Sequence, residues 1–167
     1  MDPLQPPSSF HASSAEGWIA LGNLEEARDE LSKIEPEASE HSQVLDVWWQ
    51  LHTKEKNWNH AFKVARNMVT RYPDNPAGWI YRSYAARRVA NAGIATARDL
   101  LLPAAASFPD EPVIPFNLAC YECLLGNLDE ARAYLKIAIN LGDHRSIKKM
   151  ARDESDLEPL WTELSKF

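Results

Sequence analysis

The sequence predicts an all-α protein, a solenoid of paired helices closed by a C-terminal capping helix. Three observations predict it. Gly22-Asn23-Leu24-Glu25-Glu26-Ala27-Arg28 returns as Gly126-Asn127-Leu128-Asp129-Glu130-Ala131-Arg132, 104 residues later. Ala61 and Ala97 divide that interval into steps of 34, 36 and 34 residues, so one unit recurs along the chain. Near the end, Leu157, Leu160, Trp161 and Leu164 fall at i, i+3, i+4 and i+7, one apolar stripe on a helix.

Each unit reads as two helices. The second has Leu45-x2-Trp48-Trp49-x2-His52, then Ala61-x3-Ala65, then Pro73. The third has Trp79-x2-Arg82-Ser83-x2-Ala86, then Ala97-x3-Leu101, then Pro109. The fourth has Pro115-x2-Leu118-Ala119-x2-Glu122 and Ala131-x3-Leu135, without a closing proline. The first is truncated at its start and keeps Trp18, Ala27 and Leu31. In these letters the chain resembles the tetratricopeptide-repeat (TPR) family over most of its length. That family's pattern is W-x2-L-G-x2-Y, then A-x3-F, then P.

The resemblance implies a TPR-like right-handed superhelix of about four helix pairs over residues 8–143. Small residues at Ala27, Ala61, Ala97 and Ala131 would let the second helix of each pair approach the first. Residues 1–7, with three prolines, read as a flexible lead, and residues 144–167 as capping helices. Ser155 is the expected N-cap of the last helix, with Asp156, Glu158 and Pro159 in its first turn. A solenoid exposes the apolar face of its last repeat unless an atypical helix covers it.

Arg82 departs from the pattern, standing where leucine belongs. Either it is a paired, partly buried arginine, or the helix shifts by two and Tyr84-Ala85 take those places. Pro73-Asp74-Asn75-Pro76 leads into Trp79 at the usual spacing and favours the first reading. The two extra residues of this unit then fall in the turn Asn91-Ala92-Gly93.

Composition excludes several classes. With 45% hydrophobic and 25% charged residues in 167, the chain is not intrinsically disordered. No run of 18 apolar residues exists, so no membrane span is expected. Met1 to Ser14 has no basic residue and no apolar stretch, so a cytoplasmic location is expected and a secretory signal is not. Two cysteines make no disulfide framework.

Little suggests chemistry. Cys120-Tyr121-Glu122-Cys123 is a C-x-x-C motif, open to a redox or metal reading. A structural zinc needs four ligands, and no second Cys or His pair supplies them. A redox pair belongs at a helix N-terminus, whereas these thiols sit in mid-helix. Two small apolar residues in a packed helix is the stronger reading. His11, His41, His52, His60 and His144 are scattered, and His52, in the tyrosine place, reads as a packed side chain. No enzyme activity and no cofactor are expected.

Charge is uneven. Residues 1–53 carry ten acidic and two basic side chains, 54–98 nine basic and two acidic, and 99–167 twelve acidic and seven basic. The basic band (Lys54, Lys56, Lys63, Arg66, Arg71, Arg82, Arg87, Arg88 and Arg98) suits an acidic peptide or the acidic end of another copy, or is a solvated face. Nucleic acid wants a larger basic footprint.

In the resembled family the first helix of each pair, helix A, lines a concave surface that receives peptides. Here that surface would comprise Asp46, Gln50 and Thr53, then Ile80, Tyr84 and Arg87, then Phe116, Cys120 and Cys123. It suits a protein or peptide partner with apolar anchors and an acidic residue, unless the chain's own last helices fill it. The family's heat-shock carboxylate clamp does not match, because Glu16, Val47, Ala77 and Tyr81 stand in its places. The expected function is a non-catalytic protein–protein interaction module or scaffold. The alternatives are a dedicated chaperone for a secreted client and a thiol redox or metal protein using Cys120 and Cys123.

Overall fold

The repeated Gly-Asn dipeptide is where one helix stops and the next starts. The computed structural model describes residues 3–90 and 92–166, and the chain divides into two compact units, Met1–Pro73 and Asp74–Phe167. In the first, α1 (Ser8–Leu21) ends at Gly22, whose φ is 81°, and α2 (Leu24–Ser32) follows. The Gly22 and Asn23 amides donate back to the carbonyls of Ile19 at 3.1 Å and Trp18 at 2.9 Å. These bonds satisfy carbonyls that a helix end otherwise leaves unpaired, and glycine adopts the left-handed φ without steric cost. Asn23 Oδ1 then accepts from the Glu26 amide at 3.3 Å and caps α2.

A 3₁₀ turn, Pro36–Ala38, leads into α3 (Ser42–Lys54) and α4 (Trp58–Arg71). The α3–α4 turn repeats the bonding pattern, with Lys56 N to Thr53 O at 3.1 Å and Asn57 N to His52 O at 2.8 Å. Here the left-handed residue is Lys56, at φ 56°. That conformation costs a residue with a side chain about 1–2 kcal/mol, and glycine's larger unfolded-state entropy returns about half of it. Lys56→Gly should therefore raise stability by about 0.5–1 kcal/mol, read as a higher urea midpoint at unchanged m-value. A lower midpoint would mean that the Lys56 side chain contributes more than the turn geometry costs.

The core of this unit joins Ala12, Ala15 and Ile19 of α1 to Ala27 and Leu31 of α2 and to Val44, Val47 and Leu51 of α3. Leu4, inside the expected flexible lead, packs against this cluster. Helix α1, with 14 residues, is as long as its counterpart α3 with 13, whereas α2 has 9 residues against 14 in α4, so the first pair is short in its second helix.

In the second unit Asn75 caps α5 (Pro76–Ala86) through the Ala77 amide at 2.9 Å, with Pro76 as first residue. Helix α6 (Gly93–Ser107) opens at Gly93, whose φ is 83°; Asn91 of the expected turn lies outside the described residues. Arg82 is half-buried, donates to the Leu100 carbonyl at 2.9 Å and lies 4.7 Å from the Trp79 ring centroid. Ser83 beside it is fully buried. The unshifted register, with a paired arginine, is the one observed.

Helices α7 (Val113–Leu125) and α8 (Leu128–Leu141) are joined at Gly126, φ 84°, by the same two backbone bonds at 3.0 and 2.9 Å. The Asn127 side chain turns away from the cap here and donates to Glu122 Oε2 at 2.6 Å. Ala27, Ala61, Ala97 and Ala131 are each 0% exposed, which places all four repeat alanines in the core.

Helix α9 (His144–Asp153) follows, capped by Asp143 through the Ser146 amide at 2.8 Å. The last segment, Ser155–Lys166, is a 3₁₀ helix and not the α-helix expected. Pro159 lies inside it and supplies no amide hydrogen. At three residues per turn, Leu157 and Leu160 stack on one edge and are buried with Leu164. Trp161 rotates outward to 39% exposure, its indole N–H donating to the Ala151 carbonyl at 2.8 Å. No strand occurs among the described residues.

Candidate functional site

The nine residues expected to face a peptide lie in different settings. In the first unit Asp46, Gln50 and Thr53 are half-buried along α3. Gln50 Nε2 donates to Asp46 Oδ2 at 2.8 Å, and Thr53 Oγ1 to the Gln50 carbonyl at 2.8 Å. These i, i+4 and i, i+3 bonds hold the side chains along the helix.

In the second unit Ile80, Tyr84 and Arg87 are half-buried, whereas Phe116, Cys120 and Cys123 are buried. The 3₁₀ segment packs on α7 and α9, so the chain itself lies over part of the expected surface. Arg87 Nη1 donates to Asp156 Oδ2 at 2.7 Å, and its guanidinium lies 5.8 Å from the Tyr121 ring centroid. Tyr121 is fully buried and its hydroxyl lies 3.3 Å from Ser83 Oγ. Arg132 grips Glu163 through two bonds of 2.7 and 2.9 Å, a bidentate clamp on the far part of the segment. Phe116 borders a small cleft with Met150, Asp153 and Glu154.

Sequence reasoning missed Asp156 and Glu163 as partners of these arginines. Asp156 stands 69 residues from Arg87, and no spacing rule links them. Its helix-cap position made a local reading sufficient.

Burial pushes both thiols up, Cys123 to about 11 and Cys120 further, with Asp156 adding to the effect on each. The thiolate is the nucleophile and the metal ligand, so these are protonated, packed sulfurs at neutral pH. No group of three or more His, Cys, Asp or Glu suited to a metal occurs among the described residues. His52 is buried, stacks on Trp48 with centroids 5.5 Å apart and bonds Glu55 at 3.2 Å. Burial holds its pKa below the usual imidazole value against the pull of Glu55. It is a packed side chain, as its place in the repeat predicts.

Much of the basic band is engaged locally. Arg71 pairs with Glu40, and Arg98 with Asp99 at 2.8 Å and Glu122 at 3.7 Å. The Arg88 guanidinium lies 3.9 Å from the Tyr84 ring centroid.

No protein-family model matches the sequence, and comparison with curated proteins finds no relative. Solved structures do match. A thermophilic TPR protein of Thermus thermophilus, TTC0263, superposes with a TM-score of 0.73 at 21% identity, over 94% of this chain and 82% of its own. The fold is the tetratricopeptide-repeat fold. MamA AMB-1 superposes at 0.62 with 18% identity, over 96% of this chain and 91% of its own. MamA MSR-1 does so at 0.61 with 18% identity, over 97% and 95%. At these identities the likeness is one of fold, an α-solenoid of TPR-like helix pairs.

Proposed function

We propose that this TPR-like chain is a non-catalytic interaction module that holds a protein or peptide against the A-helix faces carrying Asp46, Gln50, Thr53, Ile80, Tyr84 and Arg87. One observation carries this reading. The second unit already holds a stretch of polypeptide in which an acidic residue precedes apolar anchors: Asp156 on Arg87, with Leu157 and Leu160 buried. A partner of the same pattern, acid then leucines, has the chemistry to compete for that place and reach Phe116, Cys120 and Cys123. Tyr84 and Arg87, three apart on α5 and half-buried, are its strongest contacts, because aromatic and arginine side chains dominate interface energies.

The reading includes a cytoplasmic location and no nucleic-acid ligand, in line with the local pairing of the arginines. No helix among the described residues is long and apolar enough to cross a membrane. The high thiol pKa values argue against redox or metal work at Cys120 and Cys123.

Affinity capture from native lysate tests it with Tyr84→Ala, Arg87→Glu, Phe116→Ala and a Cys120→Ala/Cys123→Ala double variant, each first checked for folding. Tyr84→Ala or Arg87→Glu should cost about 2 kcal/mol, or roughly thirtyfold in captured partner. The cysteine variant should retain capture. Loss confined to the cysteine variant sinks the proposal in favour of a thiol function, and unchanged capture in all four moves the interface off this face.

A further inference from the structure

Helix α1 turns one long face to solvent. Phe10 is 66% and Leu21 77% exposed, and Ser14 and Gly17 between them are exposed too. Positions 10, 14, 17 and 21 step by four, three and four residues, so they form a single stripe about 16 Å long. A Cβ on Gly17 would meet nothing within 4 Å. The stripe is uncharged. Of the two ionisable side chains of α1, His11 lies 2.8 Å from Glu30, and Glu16 is half-buried near Asp46, whose like charge, after burial, raises its pKa.

We propose that this stripe joins two copies of the chain, their α1 helices crossing antiparallel about a two-fold axis at Ser14 and Gly17. The order is large, small, small, large, and it reads the same in both directions about the midpoint between residues 15 and 16. Antiparallel pairing therefore sets Phe10 against Leu21 of the other copy and Ser14 against Gly17 of the other copy. The small pair lets the two backbones approach at the crossing. The axes diverge from there, and the two long side chains span the widening gap. Such a contact is isologous and closes on itself as a dimer.

The occupant follows from charge. In the second unit the exposed side of α9 carries Arg145, Lys149 and Arg152. Docking the stripe there, head to tail, would desolvate cations against a face with no acceptor charge. The complement of an uncharged, palindromic face is the same face. Around it the first unit is acidic, with eleven acidic and seven basic residues over 1–73. Two copies thus repel at long range, and the dimer should tighten as salt screens that repulsion. A contact between the basic band and an acidic end would weaken instead.

Sedimentation of the full chain across micromolar concentrations, at low and high salt, tests this against Gly17→Lys. That variant meets no neighbour in its own chain and replaces glycine with a better helix former, so it does not threaten the fold. At the crossing it packs on Ser14 of the other copy and brings the two copies' lysines within about one helical turn of each other. The expected result is a dimer tightened by salt, with a dissociation constant raised at least about tenfold in Gly17→Lys and no loss of thermal stability in the monomer. A Ser14→Cys/Gly17→Cys double variant should oxidise to a covalent dimer that the parent chain, with both cysteines buried, does not form. A parent chain that stays monomeric overturns the proposal. So does a dimer indifferent to Gly17→Lys, or one that weakens with salt.

Discussion

Removing residues 155–167 is expected to lower the melting temperature and make the chain associate beyond anything the full-length protein shows. Leu157 and Leu160 are fully buried and Leu164 is 1% exposed, so the cut strips three packed leucines at once. Fully burying one leucine is worth about 1.5–3 kcal/mol, and three together rival a typical total stability of about 5–15 kcal/mol. The cut also removes the carboxylates that Arg87 and Arg132 hold at 2.7 Å. The faces of α7 and α9 on which the segment packs are then uncovered, and apolar surface exposed in this way promotes association. Leu160→Asp reaches the same end without shortening the chain, by burying a carboxylate among leucines. Sedimentation and near-ultraviolet circular dichroism read both variants. A truncated chain as stable as the parent and no more associated would remove the covering role from this segment.

Ala131→Trp is expected to be comparably damaging at a single site. Ala131 is 0% exposed on α8, which packs closely on α7. An indole there forces the two helices apart, and overpacking of this kind costs about 3 kcal/mol at the upper end of its usual range. For a chain of this size that corresponds to roughly 6–12 °C in melting temperature. Ala133, two residues on and exposed, is the control, since tryptophan there has solvent to occupy. Equal melting temperatures for Ala131→Trp and the parent would refute the close approach of α7 and α8 at the repeat alanine.

The parts of the fold legible in the letters are those made by short-range chemistry. Gly22-Asn23 and Gly126-Asn127 state a left-handed stop and the first residue before a new helix, and both turns carry the same two backbone bonds. Lys56-Asn57 makes that turn too, yet lysine gives no such signal, and only the alanine spacing implied a helix boundary there. Arg82 was readable as a paired arginine because proline and asparagine at residues 73–76 set its register, and its partners are a neighbouring ring and a backbone carbonyl within the same unit.

The candidate site was legible only in its helix positions. Tyr84 and Arg87 follow from register, but what lies over Phe116, Cys120 and Cys123 does not. The apolar stripe at 157–164 announced burial without saying against what, and it suggested an α-helix where a 3₁₀ helix forms. That choice goes with the packing of the segment on α7 and α9 and with the bond from Trp161 to Ala151, neither of which a helical period encodes. Helix pairs, their period and the residues at their crossings are set by neighbours within one or two turns, and a sequence displays those directly. Asp156 on Arg87 and Glu163 on Arg132 join residues 69 and 31 positions apart. Only the folded chain, by bringing its end back over α7, decided that Arg87 and Arg132 are held by the chain's own carboxylates.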